Sequence, residues 1–164
     1  INEDMIQVMS AGTGIYHSEF NPSESRETNL LQIWIIPKIM EVKPRYDILK
    51  INPQNRKNRI DTFASPERSE NIAFLNQDAY LSLCDIDLNK TIEYKINYPG
   101  NCVYFFVIDG MIDIDGNILS KRDAAGISET EDITFTAMEN SHVLIIDVPE
   151  NMDKETYNNF INQT

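Results

Sequence analysis

The sequence predicts an all-β protein, a small sandwich or barrel of the jelly-roll type, and three observations predict it. Short runs rich in Val, Ile, Phe, Tyr and Thr alternate with turn residues along most of the chain. About six of these runs fall between residues 80 and 148, enough strands for two facing sheets. A sustained helical period appears only after residue 150.

The first apolar stretch, Met5-Ile6-Gln7-Val8-Met9, begins almost at once, and the chain starts at Ile1 rather than Met. It reads as a piece of something longer. Gly12 and Gly14 then allow a tight turn with positive φ, after which Tyr16 to Phe20 reads as a strand. Leu30-Leu31-Gln32-Ile33-Trp34-Ile35-Ile36 is the strongest run and ends at Pro37, which lacks the N–H of a central strand. Apolar on both faces apart from Gln32, it belongs between two layers. From Glu41 to Glu70 the chain is polar, with prolines at 44, 53 and 66 and the basic patch Arg56-Lys57-Asn58-Arg59. Residues 47–70 read as an inter-domain connection carrying one or two short strands, such as Asp47 to Ile51.

A second β series begins at Tyr80, where Leu81, Leu83 and Asp85 share one face and Tyr80, Ser82, Cys84 and Ile86 the other. Thr91 to Ile96 alternates as a half-buried strand does. Cys102 to Ile108 and Met111 to Ile114 follow, separated by Asp109-Gly110, the strongest short hairpin signal. Asp113-x-Asp115-Gly116-Asn117 shares part of a calcium-loop spacing but lacks its closing glutamate, so it reads as a turn. Ile133 to Thr136 and His142 to Val148 complete the series. In the tail, Met152, Thr156, Tyr157, Phe160 and Ile161 form one helical stripe, with Asn151 or Asp153 as cap, predicting a short terminal helix over 151–164.

With 164 residues and 41% apolar content the chain buries a core. Its 14 basic against 26 acidic side chains give a net charge of -12, which repels phosphate backbones and acidic lipid, so neither nucleic acid nor membrane is an expected partner. Arg56 to Arg59, without aromatic interleaving, is a solvated loop. No apolar run approaches the ~20 residues of a spanning helix. Cys84 and Cys102 have no zinc spacing and read as reduced thiols of a cytoplasmic protein. There is no Gly-x-Ser-x-Gly elbow and no phosphate-cradling glycine loop.

Chemistry concentrates in Met9 to Asn21. On a strand, residues i and i+2 face the same way, so His17 and Glu19 project together, an imidazole and a carboxylate suited to Fe(II), Mn, Cu, Ni or Zn. Spacing alone leaves a second reading open, an exposed histidine beside a solvated glutamate.

Gly14-x-x-His17-x-x-x-Asn21 matches the end of the second cupin motif, with Gly12 where that motif usually has proline. The stretch Gln7 to Asn21, followed by Leu31-Gln32-Ile33-Trp34-Ile35-Ile36-Pro37 and Pro44-Arg45-Tyr46, resembles the pirin family and its quercetinase-like bacterial members. The resemblance is near-contiguous over residues 5 to 46, while residues 47 to 150 share length and strand style with the family's second cupin. It implies an all-β cupin (RmlC-like jelly-roll) architecture: residues 1–46 as the last strands of a metal-bearing first cupin, 47–70 as connection, and 71–150 as a second cupin without metal ligands. It further implies a site of a His-x-His pair, a later histidine and a glutamate. His17 and Glu19 take the last two roles, and the His-x-His lies upstream of Ile1. His142, in the last strand, reads as an edge or core residue. The implied cofactor is a divalent transition metal, Fe first, with Mn, Cu, Ni or Zn as alternatives; the implied activity is quercetin 2,3-dioxygenase-like oxidation of a small aromatic substrate. Glu19 would then serve also as catalytic proton acceptor, with Gln32 and Trp34 beside the substrate. On this reading the chain alone is inactive, and the open barrel is covered by a homodimer partner or a complementary N-terminal segment. The second reading is a non-catalytic regulatory protein acting through protein contacts, as the resemblance to nuclear pirin members implies.

Overall fold

The structure is a computed structural model that describes residue 2 and residues 4–150. Its strands are β1 (Met5–Ser10), β2 (Arg45–Lys50), β3 (Asp61–Ser65), β4 (Ala73–Phe74), β5 (Tyr80–Ile86), β6 (Thr91–Lys95), β7 (Asn101–Asp109), β8 (Met111–Ile114), β9 (Asn117–Ser120), β10 (Ala124–Ile127), β11 (Asp132–Ala137) and β12 (Ser141–Pro149). A six-stranded sheet in the order β10-β7-β12-β5-β3-β4 faces a four-stranded sheet in the order β6-β11-β8-β9. All neighbours are antiparallel except β3 and β4. β1 and β2 form a separate antiparallel ribbon.

Alternation along the strands decides what lies between the sheets. β7 sends Val103, Phe105 and Val107 inward, β12 sends Val143 and Ile145, and β11 sends Ile133, Phe135 and Ala137, all buried in one cluster with Cys84, Ile86, Tyr94, Ile112 and Ile114. Phe105 stands edge-on to Tyr94 and Phe135, the geometry aromatic quadrupoles favour. A smaller cluster on Ala64, Ala73 and Leu81 packs against Val8 of β1, Leu49 of β2 and Ile35, which seats the ribbon beside the six-stranded sheet. This explains why β5 is buried along most of its length, with Leu81 in one cluster and Cys84 and Ile86 in the other.

The strands expected at Tyr80, Thr91, Cys102, Met111, Ile133 and His142 all form, and the one expected from Asp47 forms as β2. Asp109-Gly110 does not make the expected hairpin. β7 belongs to the six-stranded sheet and β8 to the four-stranded one, so the chain changes sheets at Gly110. A Cβ on Gly110 would lie 2.4 Å from Ser141 Oγ and 2.5 Å from the Asn140 carbonyl oxygen, at φ +87°; the glycine serves close packing as well as chain reversal. The two-residue hairpin lies instead at Asp115-Gly116, where Ile114 pairs with Asn117 and both turn residues have positive φ, as a type I′ turn requires.

Two expected strands do not form. Tyr16 to Phe20 and Leu30 to Ile36 have no strand ladder. Leu30 is 65% and Trp34 75% exposed, so the latter run does not lie between two layers. An apolar run signals burial, but a strand also needs a neighbour about 4.8 Å away to accept its hydrogen bonds. Among the described residues β1 pairs only with β2, leaving none for these runs. The expected terminal helix over 151–164 lies outside the described residues. β3 is a second short strand in the polar stretch, and β4, β9 and β10 form where the sequence marks no strand. β3 pairs with β5, so the six-stranded sheet takes in chain from Asp61 onward.

Candidate metal centre

β1 ends in a turn that the sequence dictates. Thr13 N–H donates to the Val42 carbonyl at 3.1 Å and Gly14 N–H to the Ala11 carbonyl at 2.9 Å. Gly12 sits at φ +54°, and a Cβ there would lie 1.9 Å from that Val42 oxygen, so only glycine fits. The turn ties the chain leaving β1 to the chain entering β2. His17 and Glu19 follow it, both exposed. Gln7 Nε2, on β1, donates to Glu19 Oε1 at 3.0 Å, the polar contact that holds the carboxylate.

A structural or catalytic transition-metal site takes at least three protein ligands. His17 and Glu19 supply two, and among the described residues no group of three or more His, Cys, Asp or Glu comes together to hold a metal. The residues present therefore do not make a metal site by themselves. Gln32 and Trp34 are exposed on the irregular segment that leads to Ile35, which is anchored in the smaller apolar cluster.

Among the described residues the barrel interior offers no such site either, because its inward positions are filled largely by Phe105, Phe135 and aliphatic side chains. His142 lies near the start of β12, an interior strand of the six-stranded sheet that is bulged there, and its Nδ1 meets Asp85 Oδ1. Arg56 Nε donates to the other oxygen of Asp85 at 2.8 Å, and Arg56 Nη1 reaches Asp4 Oδ1 at 3.0 Å. Neighbouring Asp87 pairs with Lys57 and accepts from Asn58 Nδ2. Asp109 pairs with Lys121, so the carboxylates around His142 are neutralised by cations and the group is a charge-paired cluster at the strand ends. Cys84 and Cys102 are free thiols. Burial, with the Asp85 charge as a smaller cause, pushes the Cys84 thiol up to about 12, and burial also raises Cys102; neither is a poised nucleophile.

Sequence reasoning missed Asp147. It is fully buried, and its carboxylate accepts from the Tyr94 hydroxyl, the Asn97 N–H and Nδ2, and Asn101 Nδ2. Burial first, then the Asp147 charge, pushes the Tyr94 phenol far above its ordinary range, so it stays a donor. The signal was available: period two along β12 places Asp147 on the inward face with Val143 and Ile145.

The quercetinase C-terminal cupin domain profile matches residues 62–148, more than half of the chain, and the pirin profile matches residues 1–35. The chain belongs to the pirin family. Its fold is accordingly a cupin barrel preceded by strands of another. It is 32% identical to a quercetin 2,3-dioxygenase of Escherichia coli K12, over 87% of this chain and 60% of that protein. It is 31% identical to a pirin-like protein of Caulobacter vibrioides, over 87% of this chain and 61% of that protein. A crystal structure of the bacterial pirin YhhW from E. coli in complex with nickel(II) superposes with a TM-score of 0.82 at 30% identity, covering 89% of this chain and 62% of that one. The chain thus spans about 60% of the length of the curated relatives it matches. Among the described residues no helix is long and apolar enough to cross a membrane.

Proposed function

We propose that this chain is part of a metal-dependent dioxygenase of the quercetin 2,3-dioxygenase type. His17 and Glu19 supply two of the metal ligands, and the other donors come from outside residues 1–164. The observation that carries this reading is an exposed imidazole and an exposed carboxylate two residues apart, just after a glycine turn pinned to Val42, with Glu19 held by Gln7. The E. coli relative's name and the nickel(II) complex of a bacterial pirin support it. In this reading the metal is iron, with manganese, copper, nickel or zinc as the alternatives to be distinguished. Glu19 doubles as proton acceptor, Gln32 and Trp34 border a small aromatic diol substrate, and the chain alone is inactive. We place the protein in the cytoplasm, where two free thiols are stable.

Metal analysis tests the assignment. Supplying the missing donors, in trans or as a longer chain, should give one transition metal per protomer. His17→Ala and Glu19→Ala should each abolish it, and the 164-residue chain should bind well below one equivalent. Unchanged metal content in both variants overturns the reading.

A second reading is favoured by one observation, the exposed Tyr16, Phe20, Leu30 and Trp34 on a single stretch of chain. Apolar surface of this kind marks an interaction site, which suits a regulatory protein acting through protein contacts. A homodimer partner or a complementary N-terminal segment covers it in either reading. A monodisperse monomer by light scattering at micromolar concentration rules out the homodimer.

A further inference from the structure

The buried carboxylate of Asp147 has no part in the proposed reaction, yet its network does not end in the barrel. Tyr94 Oη, Asn97 N and Asn97 Nδ2 each donate to Oδ2 at 2.9 Å, and Asn101 Nδ2 donates to Oδ1 at 2.6 Å. These partners are all neutral, and the side chain's two oxygens are the common acceptor that joins them, so removing it would leave their donors unpaired. Asn101 Nδ2 also donates to the Asp78 carbonyl at 3.0 Å. Asp78 N–H donates to Gln77 Oε1 at 2.9 Å, and Gln77 Nε2 donates to the Ile36 carbonyl at 2.9 Å. Beyond Pro37, Lys38 N–H donates to the Asn76 carbonyl at 2.6 Å and Asn76 Nδ2 to the Ile39 carbonyl at 2.8 Å. The Lys38 ammonium pairs with the Asp78 carboxylate. The loop 76–78 therefore grips the chain on both sides of Pro37, just after Trp34, in a segment that has no strand ladder of its own.

We propose that Asp147, Asn101 and Gln77 are positioning residues: the buried carboxylate fixes Asn101, Asn101 fixes the 76–78 loop, and the loop sets where the segment bearing Gln32 and Trp34 is presented. The second barrel thus acts as a mount for the first. The catalytic value of this placement rests on the proposed function, in which Gln32 and Trp34 border the substrate, but the relay itself needs neither metal nor activity.

Trp34 is the sole tryptophan and 75% exposed, so its emission and anisotropy report on this segment alone. Hydrogen exchange of the 164-residue chain reads the amides around Pro37 directly. Gln77→Ala should speed exchange at Lys38, whose N–H donates to the Asn76 carbonyl, by about tenfold and lower Trp34 anisotropy, with β5 to β12 as protected as before. Gln77→Glu keeps the acceptor for Asp78 N–H but loses the donor to Ile36, and should loosen the segment in the same way. Asp147→Asn turns an acceptor into a donor facing donors, and should produce the same local loosening from within the barrel. If Asp147→Asn does not fold, Asn101→Ala decides, since it keeps the carboxylate with Tyr94 and Asn97 and cuts the link to Asp78. Unchanged exchange at Lys38 in Gln77→Ala, or in a folded Asp147→Asn or Asn101→Ala, overturns the proposal. Loss of metal binding with the relay intact would instead bear on the proposed function alone.

Discussion

Gly12 is the residue on which the candidate site hangs, because it lets β1 turn against Val42 and deliver His17 and Glu19. A side chain there meets the Val42 carbonyl at 1.9 Å and sits at φ +54°, a left-handed conformation that costs an ordinary residue about 1–2 kcal/mol before any clash. Gly12→Ala is therefore expected to lower stability by at least about 2 kcal/mol, read as a fall in the urea midpoint. Cys84 gives a pH signature. Its folded thiol ionises at about 12 against an ordinary value of 9.0, because burial, and secondarily the Asp85 charge, disfavour the thiolate. A pKa raised by folding means that the native state holds the proton longer than the unfolded state, so its contribution is complete below pH 9.0 and is lost as pH rises toward about 12. Denaturant titrations across that window should show stability falling, and Cys84→Ala should flatten part of the slope. Asp147 was legible in the same way as its apolar neighbours, from alternation alone; what the sequence does not carry is which donors three other segments bring to it.

At the scale of elements, alternation was a sound guide wherever a strand has neighbours on both sides, as β5, β7 and β12 do. It failed over Leu30 to Ile36, since an apolar run records a tendency to leave water and says nothing about whether a partner strand is at hand. Tyr16 to Phe20 failed for the same reason, although the turn before it was legible from its two glycines. β9 and β10 were missed because they are short, and Gly126 and the polar residues between them mute the period. Asp109-Gly110 and Asp115-Gly116 carry the same dipeptide, yet only the second closes a hairpin. The difference is tertiary: Ser141 Oγ accepts from Met111 N–H at 2.9 Å and donates to its carbonyl at 3.0 Å, drawing β8 away from β7. Alanine substitution should separate the two roles. Gly116→Ala has open space and should cost about 1–2 kcal/mol from positive φ alone. Gly110→Ala, which meets Ser141 and Asn140, should cost at least about 3 kcal/mol, and the gap between the two unfolding midpoints measures the packing share.

In the molecule as a whole, the ribbon of β1 and β2 must stay registered on the barrel; Arg45 on β2 donates to the Phe74 carbonyl on β4, and a second guanidinium, that of Arg56, links the ribbon's other end. Arg56 Nη1 holds Asp4, whose carbonyl accepts Ile51 N–H at 2.8 Å and so closes the ribbon's end. Arg56 Nε holds Asp85 at the end of β5, and Asp85 in turn meets His142 on β12. The backbone repeats the link, with Asp85 N–H donating to the Arg56 carbonyl at 2.8 Å and Asn58 N–H to the Asp85 carbonyl at 2.7 Å. The Asp85 and His142 side chains are about a quarter exposed, so solvent screens part of their attraction, while Arg56 at 12% is nearly enclosed. Asp85→Ala strips Arg56 of one of its two carboxylates and His142 of its partner, and should cost about 2 kcal/mol. His142→Ala removes only the outermost contact and should cost about 1 kcal/mol. Because the cation serves both carboxylates, the losses are coupled: an Asp4→Ala, Asp85→Ala cycle should show a non-additivity of at least about 0.5 kcal/mol. Hydrogen exchange should place the change first in β1 and β2, since the interior held by Phe105 and Phe135 does not depend on Arg56. Exchange rising uniformly across β5 to β12 instead would mean that Arg56 supports the barrel itself and does not dock the ribbon.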